Sequence, residues 1–131
     1  MKHRNYVKGL VIKNNKILLV KEKWNRYSLP GGMVENNESF EEAIVREVFE
    51  ETGIKTRVVK ELCNFVSFLM KNGTPFLKLN VKLFLLDPLN SKLIKAPDIK
   101  EVKWVHKDKL PEFDMLKYIR KFFEGKLKDT E

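Results

Sequence analysis

Apolar and polar residues alternate along this chain with two different periods. The runs YVKGLVI (6–12) and KILLV (16–20) are short and aliphatic, with polar residues from Lys13 to Lys16 at their junction. That pattern predicts two strands joined by a tight turn. Farther on, ELCNFVSFLM (61–70) and PFLKLNVKLFLL (75–86) flank Asn72-Gly73, a strong short-range hairpin signal. In the second run Leu77, Leu79, Val81 and Leu83 alternate with Lys78, Asn80 and Lys82, so one face is buried and the other wet. DPLNS (87–91) reads as a turn and EVKWV (101–105) as another short strand.

Between these strand patterns the period changes. EKWNRYSLPGG (22–32) breaks regular structure, with Pro30, Gly31 and Gly32 marking a loop. Ser39 is then a natural N-cap, Glu42 completes a capping box three residues on, and Gly53 suits a left-handed stop. A helix is predicted from about Phe40 to Thr52, with Ile44, Val45, Val48 and Phe49 as its apolar stripe. A terminal helix is expected to open at Asp108 and run through Met115, Ile119 and Phe122. Strands interleaved with two helices point to an α/β fold, a mixed sheet covered on its faces by helices.

The length of 131 residues suits one domain, 1–131. Cys63 is the only cysteine, which leaves no internal disulfide and no thiolate cluster for zinc and fits a reducing, cytoplasmic setting. No apolar run is long enough for a membrane span, and the basic N-terminus does not read as a signal peptide.

Charge changes the picture. The stretch from Glu35 to Glu51 holds seven glutamates against one arginine, a net of −6 in a chain of net +8, so the remaining residues carry +14. Such polarity favours an anionic partner whose charge is managed by something beside the acidic patch. On the predicted helix Glu47, Glu50 and Glu51 share an arc, because residues three and four apart lie on one face. Glu47 and Glu51 repel each other, and both sit toward the end where the helix dipole disfavours negative charge. Arg46 can bond Glu42 or Glu50, yet one guanidinium does not neutralise the cluster. A divalent cation does, and hard oxygen ligands on one helix face suit magnesium. The glycines of the preceding loop allow close backbone approach to an ion or phosphate.

The spacing Gly32, five residues, Glu38, seven residues, Arg46-Glu47-Val48, one residue, Glu50-Glu51, one residue, Gly53-Ile54 matches the Nudix box at every defining position. The chain therefore resembles the Nudix hydrolases over residues 32–54, with a compatible strand order around them. That resemblance implies an α/β/α sandwich with a central mixed β-sheet, and hydrolysis of a nucleoside diphosphate linked to another moiety, with Mg2+ or Mn2+. It assigns Glu47, Glu50 and Glu51 to metal, with the carbonyl of Gly31 as a further candidate ligand. Arg46 holds the glutamates in position, and Glu38 supports the loop. The general base is either Glu47 or an acid from a later loop, for which Glu101 is the candidate. Homodimers are common in such a family.

Outside the box, Arg26 is a candidate phosphate contact, and Tyr27 and Trp24 are candidate base-stacking residues. The simpler reading of Arg26 is a plain surface arginine, and Tyr27 and Trp24 also read as residues packed beside the loop. Lys78 and Lys82 guide an anion or coat a solvated strand face. Phe68 and Trp104 are expected in the core, Cys63 as a small buried residue, and His3 and His106 as isolated. For the substrate, a nucleoside triphosphate or its oxidised form leads. ADP-ribose or a dinucleoside polyphosphate follows, although the proline expected shortly after the box in many ADP-ribose enzymes has no counterpart nearer than Pro75. RNA 5′ ends are a third option, encouraged by the positive charge. A binding module without catalysis is the rival from another class, disfavoured because every box glutamate is present.

Overall fold

In the computed structural model, residues 1–23 and 25–113 are described. Strand β1 (Lys2–Lys13) turns through Asn14 and Asn15, both left-handed, into β2 (Lys16–Lys21). Two short strands follow, β3 (Tyr27–Ser28) and β4 (Gly31–Met33), then helix α1 (Phe40–Thr52). Long strands β5 (Thr56–Lys71) and β6 (Thr74–Pro88) form the hairpin closed at Asn72-Gly73. Strand β7 (Glu101–His106) leads into a 3-10 helix, Lys107–Glu112.

The strand order is β3-β2-β1-β6-β5, with β4 also on β1 and β7 also on β2. Strands β1 and β6 run parallel from the Lys2–Leu77 pair to the Val11–Leu86 pair, while the other pairings are antiparallel, so the sheet is mixed. The alternation along β1 sends Val7 and Val11 to one core and Leu10 to another. The first core joins them to Ala43, Ile44 and Val48 of α1, with Ile54, Phe84 and Leu86. The second gathers Leu10, Ile17, Leu19, Leu29, Leu83, Val105 and Leu110. Ile44 and Val48 are wholly buried, each stabilising the helix against the sheet by roughly 1.5–3 kcal/mol. That anchoring fixes the rotation of α1, and with it the direction in which its glutamates point.

Several expectations need correction. The segment 22–32 is not free of regular structure: β3 and β4 lie within it, formed by backbone pairing with β2 and β1 that leaves no side-chain period to read. Phe49 is 47% exposed and does not complete the apolar stripe, which narrows to Ala43, Ile44 and Val48 with Val45 at its margin. Phe68 is 45% exposed, because β5 is the outermost strand and its far half has a strand neighbour on one edge only. Cys63 is half-buried rather than buried and packs against the second core. Asp108 lies in the first turn of the 3-10 helix, whose cap is the His106 side chain. Met115, Ile119, Phe122 and Trp24 lie outside the described residues. Among the described residues, no helix is long and apolar enough to cross a membrane.

Candidate active site

Helix α1 begins and ends where its sequence dictates. The Ser39 hydroxyl accepts from the Glu42 amide at 3.0 Å, and the Glu42 carboxylate accepts from the Ser39 amide at 2.9 Å. At the other end Gly53 adopts φ 77° and its amide returns to the Phe49 carbonyl, a conformation a side chain would strain.

Arg46 organises the acidic face. Its Nε donates to Glu38 Oε2 at 2.6 Å, and its Nη2 donates to Glu38 Oε1 at 2.9 Å and to the Met33 carbonyl at 3.1 Å. Its Nη1 donates to Glu47 at 2.9 Å and Glu50 at 3.3 Å, with Glu35 at 3.5 Å. The Glu38 carboxylate also accepts from the Glu35 amide at 3.0 Å, which ties the loop before α1 to the arginine. The bidentate pairing with Arg46 holds the Glu38 carboxyl below its ordinary range, and in turn Arg46 is held firmly protonated.

Glu47 and Glu51 point toward the glycine loop. The Glu51 Oε1 accepts from the Gly31 amide at 2.9 Å. Burial pushes the Glu51 carboxyl up to about 8; the Gly31 amide and Lys8 oppose the rise, while Glu47 and Glu22 add to it. Burial also raises Glu47, against the pull of Arg46. Glu50, by contrast, is largely exposed. Gly31 is required by close backbone approach, whereas Gly32 abuts the end of the Glu47 side chain. A Cβ at Gly31 would collide with the Val7 carbonyl, and one at Gly32 would stand 2.5 and 2.6 Å from the Glu47 carboxylate oxygens.

The structure thus brings Gly31, Arg46, Glu47, Glu50 and Glu51 together. Tyr27 and Glu101 form a second group. The Tyr27 hydroxyl donates to Glu101 Oε2 at 2.7 Å, and its ring meets Phe113 edge-on at 4.7 Å. Lys21 and Lys103 lie 5.4 and 5.3 Å from the Tyr27 ring centroid. Glu101 is the first residue of β7, paired with Lys21, rather than part of a loop. Its hydrogen bond from Tyr27, then the one from Lys103, lower its proton affinity. Arg26 is exposed, one residue ahead of β3. Lys82 bonds Glu61 at 3.0 Å and covers the Phe40 ring, so its charge is already engaged. A groove of about 270 Å³ between Phe40, Asn64, Val66, Asn80 and Lys82 contains none of the box glutamates.

Sequence reasoning missed Lys8 and Glu22. Lys8 is 3% exposed, donates to Ser28 Oγ and the Leu29 carbonyl at 2.9 Å each, and stands 3.8 Å from Glu22. The available signal was its parity with Leu10 on β1, which an aliphatic run on both faces concealed.

The donors suit a divalent ion in kind: hard carboxylate oxygens on one helix face, one of them buried among like charges that a cation relieves. Among the described residues, no three acidic, histidine or cysteine side chains converge as a preformed centre. Glu47 is turned to Arg46 and Glu51 to the Gly31 amide. The residues therefore fit the ion in the chemistry of their donors, while their present partners are Arg46 and the Gly31 amide.

Comparison with known proteins places this geometry among relatives. The family model for the NUDIX domain matches residues 2–125. The chain is 36% identical over 126 residues, 92% of its length and 73% of the relative's, to an ADP-ribose pyrophosphatase from Methanocaldococcus jannaschii. It is 42% identical over 60 residues to an 8-oxo-dGTP diphosphatase from Buchnera aphidicola, covering 42% of this chain and 46% of that protein. The fold superposes on the crystal structure of a MutT NUDIX hydrolase from Burkholderia pseudomallei with TM-score 0.80 and 25% identity, covering 95% and 98% of the two chains.

Proposed function

The chain belongs to the Nudix family of pyrophosphohydrolases, and from that premise we propose that Glu47, Glu50 and Glu51 hold a divalent metal ion for hydrolysis of a nucleoside diphosphate-linked compound. The observation that carries this reading is the buried Glu51 carboxylate, placed among like charges and fixed by the Gly31 amide. When bound, such an ion neutralises diphosphate oxygens and acidifies water.

Around that chemistry the chain's own residues divide the work. Arg46 fixes the rotamers of Glu38 and Glu47 and so ties the loop to the helix. Gly31 offers its carbonyl as a further ligand, and its amide orients Glu51. Glu47 is the general base within this reading: burial raises its proton affinity against the pull of Arg46. Glu101 is the poorer base, because Tyr27 and Lys103 already stabilise its anion. Tyr27, whose hydroxyl bonds Glu101, and the exposed Arg26 next to it in sequence are the candidate contacts for the nucleoside and a phosphate.

The near-full-length similarity to a protein named ADP-ribose pyrophosphatase supports an ADP-ribose-like substrate, moving it ahead of the nucleoside triphosphate that the sequence had put first. The shorter match to a protein named 8-oxo-dGTP diphosphatase supports the triphosphate as the second reading. Release of phosphate-containing products, measured with Mg2+ or Mn2+ against ADP-ribose, nucleoside triphosphates including 8-oxo-dGTP, dinucleoside polyphosphates and 5′-triphosphorylated RNA, ranks them by kcat/KM. Nucleotide binding without turnover of any of them would leave a non-catalytic module in place of the enzyme.

Two variants test the supporting residues. Gly32→Ala forces its methyl group into the Glu47 carboxylate and is expected to weaken Mn2+ affinity by about 10–100-fold, read by calorimetry. Arg46→Lys keeps the charge but loses the fork that reaches Glu38, Glu47 and Met33 at once. Its kcat is expected to fall by about 10–100-fold with little change in KM; an unchanged kcat would remove the positioning role.

A further inference from the structure

Strand register extends one face of the sheet past the end of the helix that covers it. Val7 of β1, in the core beneath α1, pairs with Lys82 of β6, whose ammonium lies over the Phe40 ring in the first turn of that helix. Alternate residues share a face, so the positions before Val7 continue the same surface outward. There Asn5 stands beside Asn80 and Val66, and His3 beside Lys78 and Phe68, across β1, β6 and β5. Val66 and Phe68 are 49% and 45% exposed, and His3 and Asn5 are exposed as well. From the spacing of strands and of alternate residues, these six positions form a platform of roughly 10 Å by 7 Å.

Two features set this platform apart from a plain solvated strand face. The first is charge. Residues 1–21 and 62–86, which include all six positions, contain no aspartate or glutamate, and the adjoining Glu61 is bonded to Lys82. A second copy of the chain would bring the same positive sign against this face, whereas an anion is attracted to it. The second is unspent polar capacity. Among the described residues, the Asn5 and Asn80 carboxamides and the Lys78 ammonium have no hydrogen bond or ion pair. Asn80 also lines the groove that reaches Phe40. An open aromatic ring on a sheet stacks a base, carboxamides bond a base edge, and an ammonium holds a phosphate. A lipid surface would satisfy the ring and the ammonium but leave the carboxamides without partners.

We propose that this face binds single-stranded nucleic acid, with a base stacked on Phe68, base edges bonded by Asn5 and Asn80, and a backbone phosphate held by Lys78. The site lies apart from the box carboxylates, and the inference does not rest on the metal assignment. Single-stranded RNA and DNA present the same chemistry here, and the experiment separates them.

The test is fluorescence anisotropy of the full chain with labelled single-stranded RNA and DNA of mixed sequence. Their 5′ ends carry hydroxyl groups and a chelator is present, which takes hydrolysis and bound metal out of the measurement. Saturable binding is expected, about tenfold weaker for a duplex, whose base faces are hidden. The better-bound of RNA and DNA names the source. Phe68→Ala is expected to weaken binding about tenfold, while Phe68→Tyr, which keeps a stacking ring, binds as the parent does. Lys78→Gln is expected to reduce the slope of log affinity against log salt by about 0.7, one phosphate contact. Phe68→Ala keeps the parent's turnover of small nucleotides. Absent binding, equal binding of the duplex, or full affinity in both Phe68→Ala and Lys78→Gln overturns the proposal. So does a parent dimer that dissociates in Phe68→Ala, which makes the face a contact between copies. Equal binding of anionic phospholipid vesicles, lost in the same variants, also overturns it. Should Phe68→Ala fail to fold, Asn80→Ala with Lys78→Gln decides by the same readings.

Discussion

The Glu51→Gln enzyme is expected to turn over its substrate on the order of 10³-fold more slowly than the parent, with its fold intact. That factor corresponds to roughly 4 kcal/mol of barrier, the scale of charge stabilisation that a bound metal supplies. Glutamine keeps the length of the side chain and an oxygen for the Gly31 amide, so β4 stays docked against α1. What it loses is the negative charge that the proposed metal site depends on. Steady-state kinetics with far-UV circular dichroism checks both halves: near-normal kcat in a folded variant would remove Glu51 from the metal assignment.

The second large effect is on stability against pH. The Glu51 carboxyl ionises near its ordinary 4.5 in the unfolded chain and near about 8 in the folded, metal-free protein. The folded state holds this proton more tightly. The stability it contributes is therefore complete below pH 4.5 and is lost as pH rises through 8, amounting to about 4 kcal/mol across that window. Glu38 shifts the other way, so the stability it contributes is present above pH 4.5 and is lost in the acid range, outside this window. With a chelator present, the melting temperature is expected to fall by roughly 10 °C between pH 5 and 9. The fall should be much smaller in Glu51→Gln, where the raised Glu47 carboxyl leaves a remnant of the same sign, and reduced in the parent by saturating Mg2+. A parent protein whose melting temperature is as flat as the variant's would contradict the buried-carboxylate account.

These effects trace to features that were unequally visible in the linear chain. Helix α1 was legible to its ends because its signals are local: Ser39 and Glu42 bond across three residues, and Gly53 closes the last turn. The β5–β6 hairpin was legible for the same reason, its turn being set by Asn72-Gly73. Strands β3 and β4 were not, since a strand of two or three residues exists only through its partners β2 and β1. Phe49 and Phe68 were misplaced because hydrophobicity states a preference for burial, while the neighbouring elements decide whether cover is present. At the site, the glutamate spacing exposed the acidic face, since one helix carries all of it. Lys8 escaped notice because its meaning depends on Ser28, Leu29 and Glu22, brought beside it by strand pairing and loop packing. The Tyr27–Glu101 bond joins residues 74 positions apart, and no periodicity encodes such a contact.

Calorimetric titration of the chelator-treated, folded protein with Mn2+ and Mg2+, alone and with a non-hydrolysable nucleotide analogue, tests the central claim most directly. Saturable uptake that disappears in a folded Glu50→Gln/Glu51→Gln double variant is the result predicted. An equal response from the double variant, or no uptake by the parent in either condition, would contradict it.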